Sequence, residues 1–177
     1  MDGMVLIVFH SLRNHNIPYI KYDWSHYNNI QKIGFQLIKI MKKITLTQVN
    51  NNESYWEFIR NLRNNDLVNH GFIEMGHISY DQQKKYMSNH GKNYYVIELD
   101  TSPIGYIGDV DKDIRICVHP DFQNKGYGTE SIKEFHKLFP NSLAKIKIDN
   151  KQSLKSFENA GYKITYFLLT KENDTDN

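Results

Sequence analysis

Two glycines one residue apart, Gly126 and Gly128, form the pattern with the clearest chemical meaning in this sequence. They stand between an apolar segment, 114–118, that predicts a strand and a segment, 126–138, that predicts a helix. The first N–H groups of a helix lack partners within the helix, and the helix dipole favours negative charge there. Because glycine lets the backbone approach a ligand closely, the loop predicts a phosphate site. A tight turn without a ligand is the alternative interpretation. The candidate residues are Gln123, Asn124, Lys125, Gly126, Tyr127, Gly128 and Thr129.

This loop differs from the two best-known glycine-rich phosphate motifs. No Gly-Lys-Ser or Gly-Lys-Thr follows, as a P-loop requires, and the third glycine of a dinucleotide fingerprint is missing. A second pattern lies further along the chain, where residues 150–162 read Asn-x-x-Ser-x-x-x-Phe-Glu-x-x-Gly-Tyr. It predicts a helix with Asn150 as its N-cap and Gly161 just beyond its C-terminus.

Together the two patterns, which span residues 114–162, resemble the GNAT superfamily of acyl-CoA N-acyltransferases. The first resembles the pyrophosphate-binding motif of that family, and the second resembles its final helix. The resemblance implies acetyl-CoA as co-substrate and direct attack of an acceptor amine on the thioester, without an acyl-enzyme. It also implies that the pantetheine arm pairs with a strand edge, as an added strand would. The residues of that edge are Ile116, Cys117 and Val118.

The resemblance also assigns catalytic roles. A backbone N–H near Val118 stabilises the oxyanion that forms on attack. Asn150, Ser153 and Phe157 complete the acetyl-CoA site. The family often carries a tyrosine acid at the position of Phe157, which has no proton to give. Ser153, Tyr127 or solvent is then left to protonate the leaving thiolate.

A general base is expected to take a proton from the acceptor amine, directly or through one water. Asp113 lies five residues before Val118, where many family members carry a glutamate, and it is the first candidate. An exposed turn carboxylate is the alternative interpretation of Asp113. His119, His77 and Glu74 are further candidates for the base.

The acceptor is expected to bind the region between the first two helices of the domain. Residues 63–72 read Arg-Asn-x-x-x-Val-x-x-x-Phe, and residues 78–80 read Ile-Ser-Tyr. These residues resemble a subgroup of the family in which the first pattern is followed by Ile-Ser-x-Glu-Glu-His. That subgroup includes enzymes that acetylate the 4-amino group of nucleotide-linked 4-amino-4,6-dideoxy sugars. The match is partial, because residues 81–83 read Asp-Gln-Gln. A peptide or small-amine acceptor and a non-catalytic acyl-CoA-binding module are the alternatives. The expected acceptor residues are Arg63, Asn64, Phe72, His77 and Tyr80.

The elements that must position these groups follow from hydrophobic periodicity. Helices and strands alternate along the chain, which predicts an α/β (α+β) fold with a central twisted mixed sheet and helices on both faces. Strands are expected at 44–48, 94–99, 104–110, 114–118, 143–148 and 163–170. Helices are expected at 54–64, from Ser79 onward, at 126–138 and after Asn150.

Composition sets further limits. The chain has 177 residues and a net charge of +2, with scattered basic residues, so no nucleic-acid partner is expected. One cysteine leaves no internal disulfide, and no metal site is expected. No membrane span or signal peptide is apparent, so a cytoplasmic protein is expected, as a monomer or homodimer. We expect an N-terminal extension at 1–40, the acetyltransferase domain at 41–171 and a flexible tail at 172–177. Residues 4–9 suggest a strand. Residues 30–41 suggest an amphipathic helix, docked on the domain or lying on a membrane surface.

Overall fold

The computed structural model describes residues 43–169. The expectations for the extension at 1–40, its strand and helix, and the tail lie outside these residues. The described elements, in chain order, are β1 (Ile44–Gln48), α1 (Glu53–Arg63), α2 (Asp66–Asn69), α3 (Tyr80–His90), β2 (Tyr94–Leu99), β3 (Ser102–Val110), β4 (Asp113–Val118), α4 (Tyr127–Leu138) and α5 (Lys151–Asn159).

The four strands form one sheet in the order β1-β2-β3-β4, and every neighbouring pair is antiparallel. Two-residue turns join β2 to β3 and β3 to β4, and all four turn residues have positive φ. Turns with two positive φ angles match the twist of a hairpin, and aspartate tolerates this conformation at their first position. The turns are Asp100-Thr101 and Asp111-Lys112.

Helices cover both faces of the sheet, as predicted. On one face, Val96 and Tyr106 of the sheet pack against Trp56 and Ile59 of α1. On the other face, the neighbouring strand residues pack against α4 and α5. This follows from the alternation of side chains along a strand. Full burial of each large apolar side chain contributes about 1.5–3 kcal/mol, so the two cores fix β4 between the two helical layers.

Two of the predicted strands are wrong within the described residues. The segment 143–148 makes only one isolated parallel bridge, between Asp113 and Leu143, and 163–169 makes none. The α/β fold class is confirmed, but the expected mixed sheet has four antiparallel strands and this single parallel bridge. A strand is stabilised by cross-strand partners and a covered face. Beyond the single bridge these segments have no strand partner within residues 43–169, and Ile148 is 92% exposed and Leu169 is 90% exposed.

Helix caps account for the helix boundaries. Asn52, Asn65 and Asn150 each accept a hydrogen bond from a backbone N–H in the first turn of the helix that follows. Ser79 and Gln82 form a capping box at the start of α3, the helix predicted from Ser79 onward. None of the described helices is both long enough and apolar enough to cross a bilayer.

Candidate functional site

A cavity of about 490 Å³ opens beside β4, between the α1–α2 region and the helices α4 and α5. Its lining joins residues predicted for the acetyl-CoA site with residues predicted for the acceptor. Asp113, the candidate base, also lines it. The predicted residues that it brings together are Arg63, Phe72, Asp113, Ile116, Cys117, Val118, Gln123, Gly128, Asn150, Ser153 and Phe157.

The outer edge of β4 leaves backbone groups free to pair with a ligand. At its start, the N–H of Ile114 donates to the carbonyl of Leu143 at 2.8 Å, away from β3. Because hydrogen-bonding groups alternate between the two edges of a strand, the N–H groups of Ile116 and Val118 face the same outer edge. No hydrogen bond to either N–H is present within residues 43–169. The edge can therefore accept an extended ligand.

The carbonyl of Val118 is occupied, whereas its N–H is not. The side-chain amide of Gln123 donates to this carbonyl at 2.9 Å. This bond ties the glycine loop to the end of β4. It places the loop and the free N–H of Val118 at one end of the cavity.

The N-terminus of α4 differs from those of the other four α-helices described. Its N-cap is Gly126, with φ of 87°, and no side chain caps the first turn. The first intrahelical bond comes from the N–H of Glu130 to the carbonyl of Gly126 at 3.0 Å. The N–H groups of Tyr127, Gly128 and Thr129 are thus left for a ligand, and the helix dipole favours an anion there.

The remaining loop residues do not line the cavity. Asn124, Lys125 and Gly126 are exposed. The ammonium of Lys125 donates to the carbonyl of Asp121 at 2.6 Å, which holds this side chain against its own loop. Thr129 donates from its hydroxyl to the carbonyl of Ser156 at 3.3 Å, which ties α4 to α5.

Asn150 holds the far wall of the cavity together. Its side-chain oxygen accepts the N–H of Ser153 at 3.0 Å, and its amide nitrogen donates to the carbonyl of Gly71 at 3.1 Å. One side chain thus caps α5 and fixes the loop that follows α2. Phe157, further along α5, is 3% exposed and contacts the ring of Tyr162 edge-on, with centroids 5.3 Å apart.

Asp113 serves as a structural anchor as well as lining the cavity. Its Oδ1 accepts the N–H of Lys145 at 3.1 Å. Its Oδ2 lies 3.9 Å from both Nη2 of Arg115 and Nζ of Lys145. Of the alternative bases, Glu74 lines the cavity, but His119 does not. The ring of His119 accepts the N–H of Asp121 at 3.3 Å, within the turn after β4.

Two of the five expected acceptor residues, Arg63 and Phe72, line the cavity. The other three do not. Asn64 pairs with the backbone of Ile78 through both atoms of its amide, at 2.9 and 2.8 Å. Tyr80 donates to Glu53 at 3.3 Å on the exposed surface of α1 and α3, and His77 is exposed outside the cavity.

Sequence reasoning missed several residues of the cavity wall. Arg115 and Tyr106 come from β4 and β3, and Gln152 and Ser156 from α5. For Gln152 and Ser156 the sequence did hold a signal. They directly precede Ser153 and Phe157, two predicted site residues that lie four positions apart on one helix. For Arg115 the alternation along β4 showed only that it faces away from Ile114 and Ile116.

Burial keeps the single cysteine unreactive. It raises the pKa of the Cys117 thiol to about 12, while the charge of Arg63 opposes this rise. Burial also raises the pKa of Tyr106, the cross-strand neighbour of Cys117. Since a thiolate is the nucleophilic form, Cys117 is held as a packing residue. Within residues 43–169, no group of three or more His, Cys, Asp or Glu side chains is placed to hold a metal ion.

Comparison with known protein families shows to which family this chain belongs. The sequence profile of the Acetyltransferase (GNAT) family matches residues 56–162, more than half of the 177 residues. The chain belongs to the GNAT family of acetyltransferases. The matched range includes the glycine loop, β4 and α5, so the GNAT profile covers the described cavity. No curated protein is significantly similar to this GNAT chain in sequence.

Solved structures share the GNAT fold at low sequence identity. A domain from Methanocaldococcus jannaschii DSM 2661 is 22% identical, with a TM-score of 0.59, over 70% of this chain and 90% of that chain. Spermidine N-acetyltransferase from Vibrio cholerae, in complex with CoA and spermine, is 19% identical, with a TM-score of 0.56, over 67% and 79%. Aminoglycoside acetyltransferase AAC(6')-Ib, in complex with coenzyme A and kanamycin, is 15% identical, with a TM-score of 0.55, over 68% and 84%.

Proposed function

We propose that this GNAT domain, at residues 41–171, is an acetyl-CoA-dependent N-acetyltransferase. The observation that carries the proposal is the pair of free N–H groups on the outer edge of β4. They line the same cavity as Gly128, at the uncapped start of α4. An acyl-CoA needs both features, because its pantetheine arm is an amide chain and its pyrophosphate is an anion.

The residues present fit this co-substrate. The N–H groups of Tyr127, Gly128 and Thr129 would bind the pyrophosphate, and Ile116 would pair with the pantetheine arm. Acetyl-CoA supplies the acetyl group as an activated thioester. The N–H of Val118 would donate to the thioester oxygen as negative charge grows there, and one such donor typically contributes ~10²–10³ in rate.

Proton transfer would fall to groups at the two ends of β4. Asp113 would accept the proton of the attacking amine through a relay of waters, since five residues of strand place it about 16 Å from Val118. On the α5 side, Phe157 cannot donate a proton to the departing thiolate. Ser153 lines the same wall and can donate, and solvent is the other donor. A thiol has a pKa of about 8.5, so the thiolate leaves readily and strong acid catalysis is not required.

For the acceptor, we propose the 4-amino group of a nucleotide-linked amino-dideoxy sugar. The charges of the cavity support an anionic acceptor. Three cationic side chains line it, from Arg63, Arg115 and Lys145, against the carboxylates of Glu74 and Asp113. Two of the similar solved structures contain spermine or kanamycin instead. A polycationic amine would gain little from this surplus of positive charge.

The test has two stages. Calorimetric titration with acetyl-CoA and CoA measures donor binding. Thiol release is then followed with UDP- and dTDP-linked 4-amino-4,6-dideoxyhexoses, and in parallel with spermidine, kanamycin and basic peptides. We expect acetyl-CoA binding and turnover of an amino-sugar nucleotide. Turnover of polyamines or peptides alone would retain the enzyme and overturn the acceptor. Binding without turnover of any amine would favour a non-catalytic module, and absence of donor binding would overturn the proposal.

A further inference from the structure

Two buried nitrogen atoms in the described part of the chain lack any hydrogen-bond partner. They are the Nε atoms of Arg63 and Arg115. Both arginines line the cavity beside β4. A guanidinium is always charged and carries five N–H donors, and a buried donor is normally paired. Two unpaired guanidinium donors in one cavity indicate a missing acceptor of hydrogen bonds.

Stacking on an aromatic ring, rather than hydrogen bonding along its edge, holds the guanidinium group of Arg63 in place. It is the last residue of α1, and its guanidinium carbon lies 4.8 Å from the centroid of the Phe72 ring. Its Nη2 donates to the carbonyl of Glu74 at 3.4 Å, a long bond. Stacking on an aromatic ring leaves the in-plane N–H groups of a guanidinium free for a ligand.

Arg115 is held even more loosely. Its nearest carboxylate oxygen, Oδ2 of Asp113, is 3.9 Å from Nη2, which is beyond hydrogen-bond distance. It shares a face of β4 with Cys117, whose cross-strand neighbour is Tyr106. Burial raises the pKa of Tyr106, and the charges of Arg63 and Arg115 both oppose that rise. Both guanidinium groups line the same cavity as Tyr106.

We infer that Arg63 and Arg115 form a subsite for an anionic group of the acceptor, a phosphate or a carboxylate. This inference rests on the proposed function and names Arg115 as a specificity-determining residue. Guanidinium groups bind such anions through paired hydrogen bonds. The same charges disfavour a polycationic amine at this end of the cavity.

The spacing along β4 separates Arg115 from the candidate oxyanion donor, Val118. Arg115 is three residues before Val118 on β4, and a strand rises about 3.3 Å per residue, so the separation of their Cα atoms is about 10 Å. An acceptor with its amine and its anion at opposite ends of a sugar phosphate or sugar diphosphate is compatible with this spacing.

The test titrates small anions into the full chain saturated with CoA, which occupies the other anion site. Pyrophosphate, UDP and malonate are the probes, and binding is measured by calorimetry. We expect Arg63→Gln and Arg115→Gln each to weaken binding of the preferred probe at least about 10-fold. Arg115→Lys keeps the charge without the paired donors and should fall between. Preference for UDP or pyrophosphate assigns a phosphate-bearing acceptor, and preference for malonate assigns a carboxylate.

Arg60→Gln is the matched control. It removes one positive charge from the same helix, but this guanidinium already bonds Glu57 at 2.6 and 2.9 Å and does not line the cavity. It should leave anion binding within about 2-fold of the unmodified chain, and circular dichroism checks that all variants fold. Anion binding that is absent, or equal in all variants while CoA binds normally, would overturn the subsite alone. Failure of CoA itself to bind marks failure of the proposed function instead.

Discussion

Alanine at Gly126 tests the anion site against a control within the same chain. Gly126 and Gly161 have φ angles of 87° and 99°, and a Cβ atom built at either position meets no atom within 4 Å. Alanine is therefore disfavoured at both positions by backbone conformation alone. Gly126 is the N-cap of α4, two residues before Gly128, which lines the cavity, whereas Gly161 follows α5.

The backbone cost should be equal in the two variants. A residue with a side chain loses about 1–2 kcal/mol in the left-handed region. For a chain of this size, that loss lowers the melting temperature by about 2–8 °C. We expect Gly126→Ala and Gly161→Ala to melt within a few degrees of one another in the absence of ligand.

Only Gly126→Ala should weaken CoA binding. If the backbone relaxes toward negative φ, the N–H groups of the first turn of α4 rotate away from the pyrophosphate. Losing one hydrogen bond to a charged group costs about 1.5–3 kcal/mol, or roughly 10- to 150-fold in dissociation constant. Calorimetry with CoA measures this directly. Equal CoA affinity in the two variants would refute the assignment of the loop to the pyrophosphate.

Three further changes test other parts of the structure. Val118→Pro removes an N–H that does not bond to β3, so the loss of stability should be small. In the thiol-release assay, kcat should fall by ~10²–10³, and an unchanged kcat would exclude this N–H as the oxyanion donor. Asn150→Ala removes the α5 cap and the bond to Gly71, so urea unfolding should show a loss of about 2 kcal/mol, and a loss below about 0.5 kcal/mol would contradict the linking role. Burial holds the Cys117 thiol protonated to a pKa of about 12, so the folded state keeps a proton that the unfolded chain releases. The contribution of this thiol to the free energy of unfolding should therefore be fully present below about pH 8.5 and fall by about 1.4 kcal/mol per pH unit above it. Cys117→Ala should reduce this decline. Equal urea midpoints near pH 7 and 10 would contradict the prediction.

Local signals were sufficient where the determining contacts are local. Ser79 and Gln82 form their capping box across three residues, and the glycines around α4 mark its start in sequence and structure alike. The two short hairpin turns likewise lie where polar residues separate apolar runs. Such features depend on residues only a few positions apart, so they can be predicted directly from the sequence.

Contacts between distant segments were not predictable in this way. Asn64 was expected to bind the acceptor, but Ile78, 14 residues away, takes both atoms of its amide. The run at 143–148 has strand-forming residues, yet strand formation depends on a partner that periodicity does not reveal. For Arg115, the alternation along β4 predicted only the face of the sheet on which its side chain lies. What lies opposite that face, Arg63 and an open cavity, depends on the packing of α1.

The open edge of β4 has a further consequence for the protein without the proposed co-substrate. Unpaired strand edges are sites of self-association, and proteins usually cover them or protect them with charge. Near this edge Leu143 is 51% exposed. Bound acetyl-CoA would cover the edge and, at 100 times its dissociation constant, stabilise the folded chain by about 2.7 kcal/mol. Co-substrate supply would then govern solubility as well as turnover, and the chain should aggregate more slowly when CoA is added during purification.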